Sequence, residues 1–315
     1  MRVVFCGSGE FAVPSFKAIY RGGYQLAGVL TQPARKAGRG GKLRSTPIAV
    51  AADELSVEVT PCENINADES LAMLEALAPD VIAVVDFGQI IGPKARAVST
   101  IDTINLHGSL LPALRGAAPV NWAIIRGYET TGVTTFSLVG PVDAGAMIAR
   151  VETQIAPGER ADELKSRLAD MGAELMCKTL DLLASGKAEY VEQDHSQATH
   201  APIMTKSDGV IDWTADAESV VNLVHGAWPW PGGQATLKRG GGKECPLVIA
   251  RAEVASGAAM SAPGMLDEDL CVSTGSGWIR ILELKPAGKR LMSFKDFANG
   301  YRLAAGDCFL MREDR

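Results

Sequence analysis

The chain has 315 residues, 47% of them apolar and 22% charged, with a formal net charge of −6. This is an ordinary globular composition, and the length suffices for two domains. No stretch approaches the ~18 consecutive apolar residues that cross a bilayer, and the apolar run before Gly7 is too short for a signal-peptide core, so a cytoplasmic protein is expected.

The six cysteines (6, 62, 177, 245, 271, 308) contain no Cys-x-x-Cys. The four histidines (107, 195, 200, 225) have no ligand spacing with them. Reduced thiols and no metal are expected.

Residues 2–6 read as a buried strand. Gly7-Ser8-Gly9-Glu10-Phe11-Ala12 then turns into a helix starting near Val13. This fits the dinucleotide pattern G-x-G-x-x-A. A second strand over 25–30 ends, however, in Thr31-Gln32, where a ribose would require an acid. The glycines are therefore read as a tight turn. The glycine-rich segment 34–46 reads as an exposed loop. It holds Arg35, Lys36, Arg39, Lys42 and Arg44 within ten positions and no acid. Residues 1–205 are net −5 (18 Lys/Arg, 23 Asp/Glu) and residues 206–315 net −1 (13 and 14). A local basic patch still suffices for a polyanion that also docks in a shaped site.

Pro47 opens a helix over 47–54, followed by a short strand at 57–59, a helix over 71–77, and apolar strands at 81–85 and 103–106. Strands at 133–138 and 147–155 flank a loop, and an amphipathic helix covers 161–183. Alternation of apolar strands with helices signals a parallel α/β sheet. The pattern changes near 201–207. One short helix, the Trp228-Pro229-Trp230-Pro231 segment and strand-like runs at 234–238, 246–254, 270–273 and 277–285 follow, punctuated by Gly and Pro. These read as a small β-barrel. Gly240-Gly241-Gly242 reads as a hairpin or loop.

The most informative stretch is Asn105-Leu106-His107-Gly108-Ser109-Leu110-Leu111-Pro112. Residues i and i+2 of a strand point to one side, so Asn105 and His107 face one small volume. An imidazole there can move a proton near neutral pH, and a carboxamide N–H can hold an oxyanion. Thirty-six positions on, Asp143 lies in the turn-forming loop Gly140-Pro141-Val142-Asp143-Ala144-Gly145-Ala146. A carboxylate could orient the imidazole. Asn, His and Asp without a nucleophilic Ser or Cys suggest direct transfer to an external nucleophile. His195 and His200 read as surface residues.

The Asn-x-His-Gly-Ser-Leu-Leu-Pro run, the following Arg115-Gly116-Ala117-Ala118-Pro119 and the downstream Asp resemble the formyltetrahydrofolate-dependent formyltransferases. Three further stretches are similar to the methionyl-tRNA formyltransferase branch. They are Phe5-Cys6-Gly7-Ser8-Gly9-Glu10-Phe11-Ala12-Val13-Pro14, Thr31-Gln32-Pro33 with the basic stretch to Thr46-Pro47, and Leu284-Lys285-Pro286-Ala287-Gly288-Lys289-Arg290-Leu291-Met292-Ser293. The resemblance spans almost the whole chain. It implies a Rossmann-like, mostly parallel α/β catalytic domain over 1–200 and a small OB-like, tRNA-binding β-barrel domain over 201–315. It also implies 10-formyltetrahydrofolate as formyl donor, initiator methionyl-tRNA as acceptor, and a monomer.

The implied catalytic residues are Asn105, His107 and Asp143. Ser109, Leu110, Leu111 and Pro112 would shape the folate site, and Phe87, Gly88, Gln89, Ile90 and Ile91 the pterin slot. Arg35, Lys36, Arg39, Lys42 and Arg44 would meet the tRNA. The family's acidic-x-Gly-Leu-Asp-Thr-Gly-Asp loop is only partly kept, with Val139, Pro141, Val142, Ala144 and Ala146 departing from it and Asp143 and Gly145 matching. Two other readings stay open: a formyltransferase acting on an amino-sugar nucleotide, and a non-catalytic RNA-binding protein.

Overall fold

The computed structural model describes residues 1–37, 41–239, 242, 244–256 and 261–310. In chain order the elements are β1 (Arg2–Gly7), α1 (Val13–Arg21), β2 (Gln25–Thr31), β3 (Arg35–Ala37), β4 (Lys42–Arg44), α2 (Pro47–Glu54), β5 (Thr60–Pro61), α3 (Asp68–Leu77), β6 (Val81–Val85), α4 (Pro93–Arg96), β7 (Asp102–His107), α5 (Pro119–Ile125), β8 (Thr130–Ser137), β9 (Met147–Gln154) and α6 (Ala161–Ala184). Then follow α7 (Ala217–Gly226), β10 (Gly233–Lys238), β11 (Cys245–Ala255), β12 (Val272–Ser273), β13 (Trp278–Pro286), β14 (Met292–Ser293), α8 (Phe294–Tyr301) and β15 (Cys308–Leu310). They form two units. One comprises Met1–Gly116, Thr131–Thr153 and Lys165–His200, the other Ala117–Thr130, Gln154–Leu164 and Ala201–Arg315.

The first unit is built on a seven-stranded sheet of order β5-β2-β1-β6-β7-β8-β9. The pairs β1–β2, β1–β6, β2–β5 and β6–β7 are parallel, and β7–β8 is antiparallel. Every residue of β6 is buried, as expected of a central strand covered on both faces. Val4, Cys6, Leu30, Ile82 and Val84 from the sheet pack with Leu71 and Leu74 of α3 in one apolar cluster. Burial, and then the neighbouring Cys62, push the Cys6 thiol far above its ordinary range, so it stays a neutral apolar filler. The chain moves outward from β1 through β2 to β5 and then returns to the other side of β1 as β6. In open α/β sheets such a reversal marks the ligand crevice, at the carboxyl ends of the strands.

The second unit is a nearly closed antiparallel barrel of order β12-β13-β11-β10-β15, with β14 on β13. Gly264–Leu266 closes the gap. Met265 bridges Cys308 at one edge and Leu266 bridges Val272 at the other. Ile211, Trp213, Leu237, Ile249, Ile281, Phe297 and Phe309 fill the interior, with Val220 and Val224 of α7. The α/β class and the OB-like barrel expected from the sequence are both present.

Two expectations are corrected, and one element is added. The basic segment is not wholly irregular, because β3 and β4 pair antiparallel, with Arg35 opposite Arg44 and Ala37 opposite Lys42. The short strand expected at 57–59 is β5, at Thr60–Pro61, where the backbone meets Leu30 and Thr31 of β2. Inside the barrel region the capped helix α8 went unread, although Ser293 accepts from Asp296 N at its start. Residues 240 and 241 of the glycine run lie outside the described residues. Among the described residues, no helix is long and apolar enough to cross a membrane.

Candidate active site

β7 ends at the carboxyl edge of the parallel sheet, with Val84 and Val85 of β6 beside Asn105 and Leu106. Asn105 and His107 project to the same side of it. His107 is buried. Its Nε2 lies 2.9 Å from the Leu114 carbonyl. A carbonyl only accepts, so Nε2 carries the hydrogen, and in the neutral ring Nδ1 is the nitrogen able to take a proton. Nδ1 stands 3.6 Å from Oδ2 of Asp143. Asn105 is half-buried, and its carboxamide has no hydrogen-bond partner among the described residues.

The Leu114 carbonyl reaches His107 because the loop after β7 folds back on the sheet. Ser109 Oγ donates to Ala113 O at 2.6 Å. Thr134 Oγ1 donates to Ser109 O at 2.7 Å and accepts from Leu111 N at 3.2 Å. Ser109 and Leu111 are thus buried parts of the loop's scaffold, while Leu110 and Pro112 are half-buried. Asp143 has φ +52°, a left-handed backbone that Asp tolerates better than most residues. Gly116 N donates to its Oδ2 at 2.8 Å. Two residues on, a Cβ on Gly145 would lie 1.7 Å from the Ser137 carbonyl, so only glycine permits this close approach.

The 87–91 segment divides by side chain. Phe87 and Ile91 join the apolar cluster, against which Leu138 also packs. Gln89 is consumed by the backbone: Oε1 accepts from Ile65 N at 2.8 Å and Nε2 donates to Cys62 O at 2.7 Å. Ile90 is 72% exposed. Ser8 N and Gly9 N both donate to Asp86 O at 3.1 Å. The amides that a pyrophosphate would need are therefore occupied, in keeping with a tight turn. In the β3–β4 hairpin Arg35, Lys36 and Arg44 are exposed. Among the described residues no carboxylate pairs with them. Arg39 lies outside the described residues, as does the side chain of Lys42.

Sequence reasoning missed Gln193. This buried side chain donates from Nε2 to the carbonyls of Asp143 (2.9 Å) and Gly145 (2.7 Å). It accepts at Oε1 from Nε and Nη2 of buried Arg115 (3.1 and 2.6 Å). No signal marked it, since a lone Gln fifty positions after Asp143 has no local motif. Arg115 does stand in a quoted motif, which gives no hint of its contact.

Residues 1–180 match the formyl transferase family and residues 203–302 the formyl transferase C-terminal domain. Proteins named methionyl-tRNA formyltransferase from Solibacter usitatus (strain Ellin6076) and Koribacter versatilis (strain Ellin345) are 40% and 42% identical to the chain, each over 98% of it and 98% of their own length. The chain belongs to the methionyl-tRNA formyltransferase family. The family's fold extends to more distant proteins. An N-formyltransferase from Helicobacter canadensis, solved with folinic acid and dTDP-3-aminofucose, superposes with a TM-score of 0.64 at 14% identity, over 90% of this chain and 98% of that one. HypX from Aquifex aeolicus, solved with tetrahydrofolic acid, does so with a TM-score of 0.61 at 17% identity, over 100% of this chain and 52% of that one. At these identities the likeness is one of fold. The strand carrying Asn105 and His107 and the loop carrying Asp143 both lie within the matched formyl transferase region.

Proposed function

We propose that the protein transfers the formyl group of 10-formyltetrahydrofolate to the free amine of initiator methionyl-tRNA, with Asn105, His107 and Asp143 as its catalytic residues. The observation that carries this reading is the buried His107–Asp143 contact beside the unpartnered Asn105 carboxamide, in a chain of this family. The neutral amine attacks the formyl carbon and forms a C–N bond. Asn105 donates its N–H to the oxyanion of the tetrahedral intermediate. Nδ1 of His107 takes the proton that the amine loses, with the Leu114 carbonyl on Nε2 and the Asp143 carboxylate beside Nδ1 holding the ring in place. As the bond from carbon to N10 of the folate breaks, the same proton passes to N10. Atoms and charge balance without a covalent enzyme intermediate.

Residues 87–91 and 109–112 shape the folate site. In the former, the outward Ile90 is the apolar side chain left free for a ring. The hairpin cations Arg35, Lys36 and Arg44, with Arg39 and Lys42, hold the tRNA backbone. Residues 1–200 serve as the catalytic domain and 201–315 as the tRNA-binding domain of a cytoplasmic monomer. The test offers labelled 10-formyltetrahydrofolate together with methionyl-tRNA or an amino-sugar nucleotide. Label on the methionyl-tRNA supports the reading. Label on the sugar alone would replace it with the second formyltransferase reading, and label on neither would remove the enzyme reading.

A further inference from the structure

We propose that Arg115 and Gln193 are positioning residues that set Asp143 against His107, an inference that rests on the catalytic role proposed above for Asp143. Asp143 is held at two points, and its loop at a third. The Gly116 amide donates to its Oδ2. Gln193 Nε2 donates to its carbonyl and to that of Gly145, two residues on. Main chain and carboxylate are thus gripped separately, and the dipeptide Arg115-Gly116 supplies both grips, one directly and one through Gln193. This restraint acts on a residue whose φ of +52° the backbone does not favour by itself.

Arg115 is only 8% exposed. Its side-chain partners are Gln193 Oε1 and His195 Nδ1, the latter at 3.0 Å. No carboxylate among the described residues lies within ion-pair distance of it. A buried guanidinium that merely stabilised the fold would be expected beside an anion. Here its donors meet His195 Nδ1 and, through both Nε and Nη2, the single amide oxygen of Gln193. That polarises the carboxamide and strengthens its two N–H donors, since chained hydrogen bonds reinforce one another. The main chain of Arg115 is anchored independently, its N–H donating to Thr199 O at 2.8 Å. The guanidinium can therefore act as a fixed post for Gln193. Gln193 cannot be exchanged for Glu, because a carboxylate oxygen would face two carbonyls in place of the donor.

The test is a double-mutant cycle read in single-turnover formyl transfer to methionyl-tRNA, with KM for the tRNA and the pH–rate profile recorded for each protein. The variants are Gln193→Met, Asp143→Asn and the double. Gln193→Met should lower the rate by up to about 10²-fold, the scale of an ångström-level misplacement. It should leave KM within about twofold and displace the pH–rate profile in the same direction as Asp143→Asn. In the Asp143→Asn background the same change should cost less than about threefold, because groups acting through one another are not additive.

A full, multiplicative loss in the double, or a wild-type rate for Gln193→Met beside a slow Asp143→Asn, overturns the positioning role and leaves the catalytic assignment standing. A wild-type rate for Asp143→Asn overturns both. If Gln193→Met does not fold, Arg115→Met replaces it in the cycle, and the same two outcomes decide. Gln193→Glu should be at least as slow as Gln193→Met; a Gln193→Glu rate near wild type also rejects the donor role.

Discussion

At the scale of single residues, Asn105 and Asp143 make opposite demands on charge. The Asn105 carboxamide has no described partner and is free to donate. Replacing it with a carboxylate removes the donor and places a negative charge where the proposed mechanism puts the oxyanion. Asn105→Asp should therefore cost at least the ~10²–10³-fold in rate typical of removing one oxyanion donor, with tRNA affinity unchanged; steady-state kinetics check both. Asp143→Asn keeps size but cannot stabilise an imidazolium, and its amide can point a donor at Gly116 N. It should slow transfer and alter the pH–rate profile while folate binding, measured by fluorescence titration, holds. These residues were legible because period-two geometry places Asn105 beside His107 from spacing alone. Asp143 needed the family resemblance, since an Asp beside Gly is ordinarily a turn residue. The Leu114 carbonyl and Gln193 were not legible. Backbone groups leave no mark in a sequence, and side chains that meet across fifty positions have no periodicity.

At the scale of elements, the buried strands declared themselves through continuous apolar runs such as β6, and the helices through Pro47 at a first turn and the period of α6. The basic segment misled because its glycines mask a pairing only three residues long on each side. That hairpin sets Arg35 directly opposite Arg44, and like charges so placed oppose strand pairing. The arrangement makes sense where a polyanion lies across both. Changing Arg35 and Arg44 together to Gln should leave thermal stability equal or higher while raising KM for methionyl-tRNA. It should also reduce the slope of log affinity against log salt by roughly 0.7–0.9 for each phosphate that is no longer neutralised. An unchanged slope would mark the hairpin as solvated surface.

At the scale of the whole molecule, the change from strand–helix alternation to short punctuated strands divided an α/β half from a barrel half in the sequence itself. Barrel closure through Gly264–Leu266 was invisible there, because isolated bridges carry no pattern. The barrel unit also holds a pH-sensitive group. Burial, and then the cations Arg251 and Arg160, push His225 down to about 4, with Glu163 acting in the other direction; Ala252 N donates to its Nε2 at 3.3 Å, a contact that needs the neutral ring. Its folded value is depressed, so its stabilising contribution is complete above the ordinary histidine range near 6.5. It is lost as pH falls from about 6.5 to about 4, at up to about 1.4 kcal/mol per pH unit. Denaturant melts across that window should show the slope, and His225→Gln, which keeps an acceptor for Ala252 N, should flatten it.

The proposed chemistry turns on His107, the group that moves the proton between acceptor amine and folate nitrogen. The most direct measurement is single-turnover transfer of labelled formyl to methionyl-tRNA by His107→Ala, with folding checked by circular dichroism and binding of both substrates checked by titration. The rate should fall by the ~10²–10⁴-fold expected when a general acid–base is removed while the fold and both affinities persist. Transfer at the wild-type rate by the folded variant would contradict this role for His107.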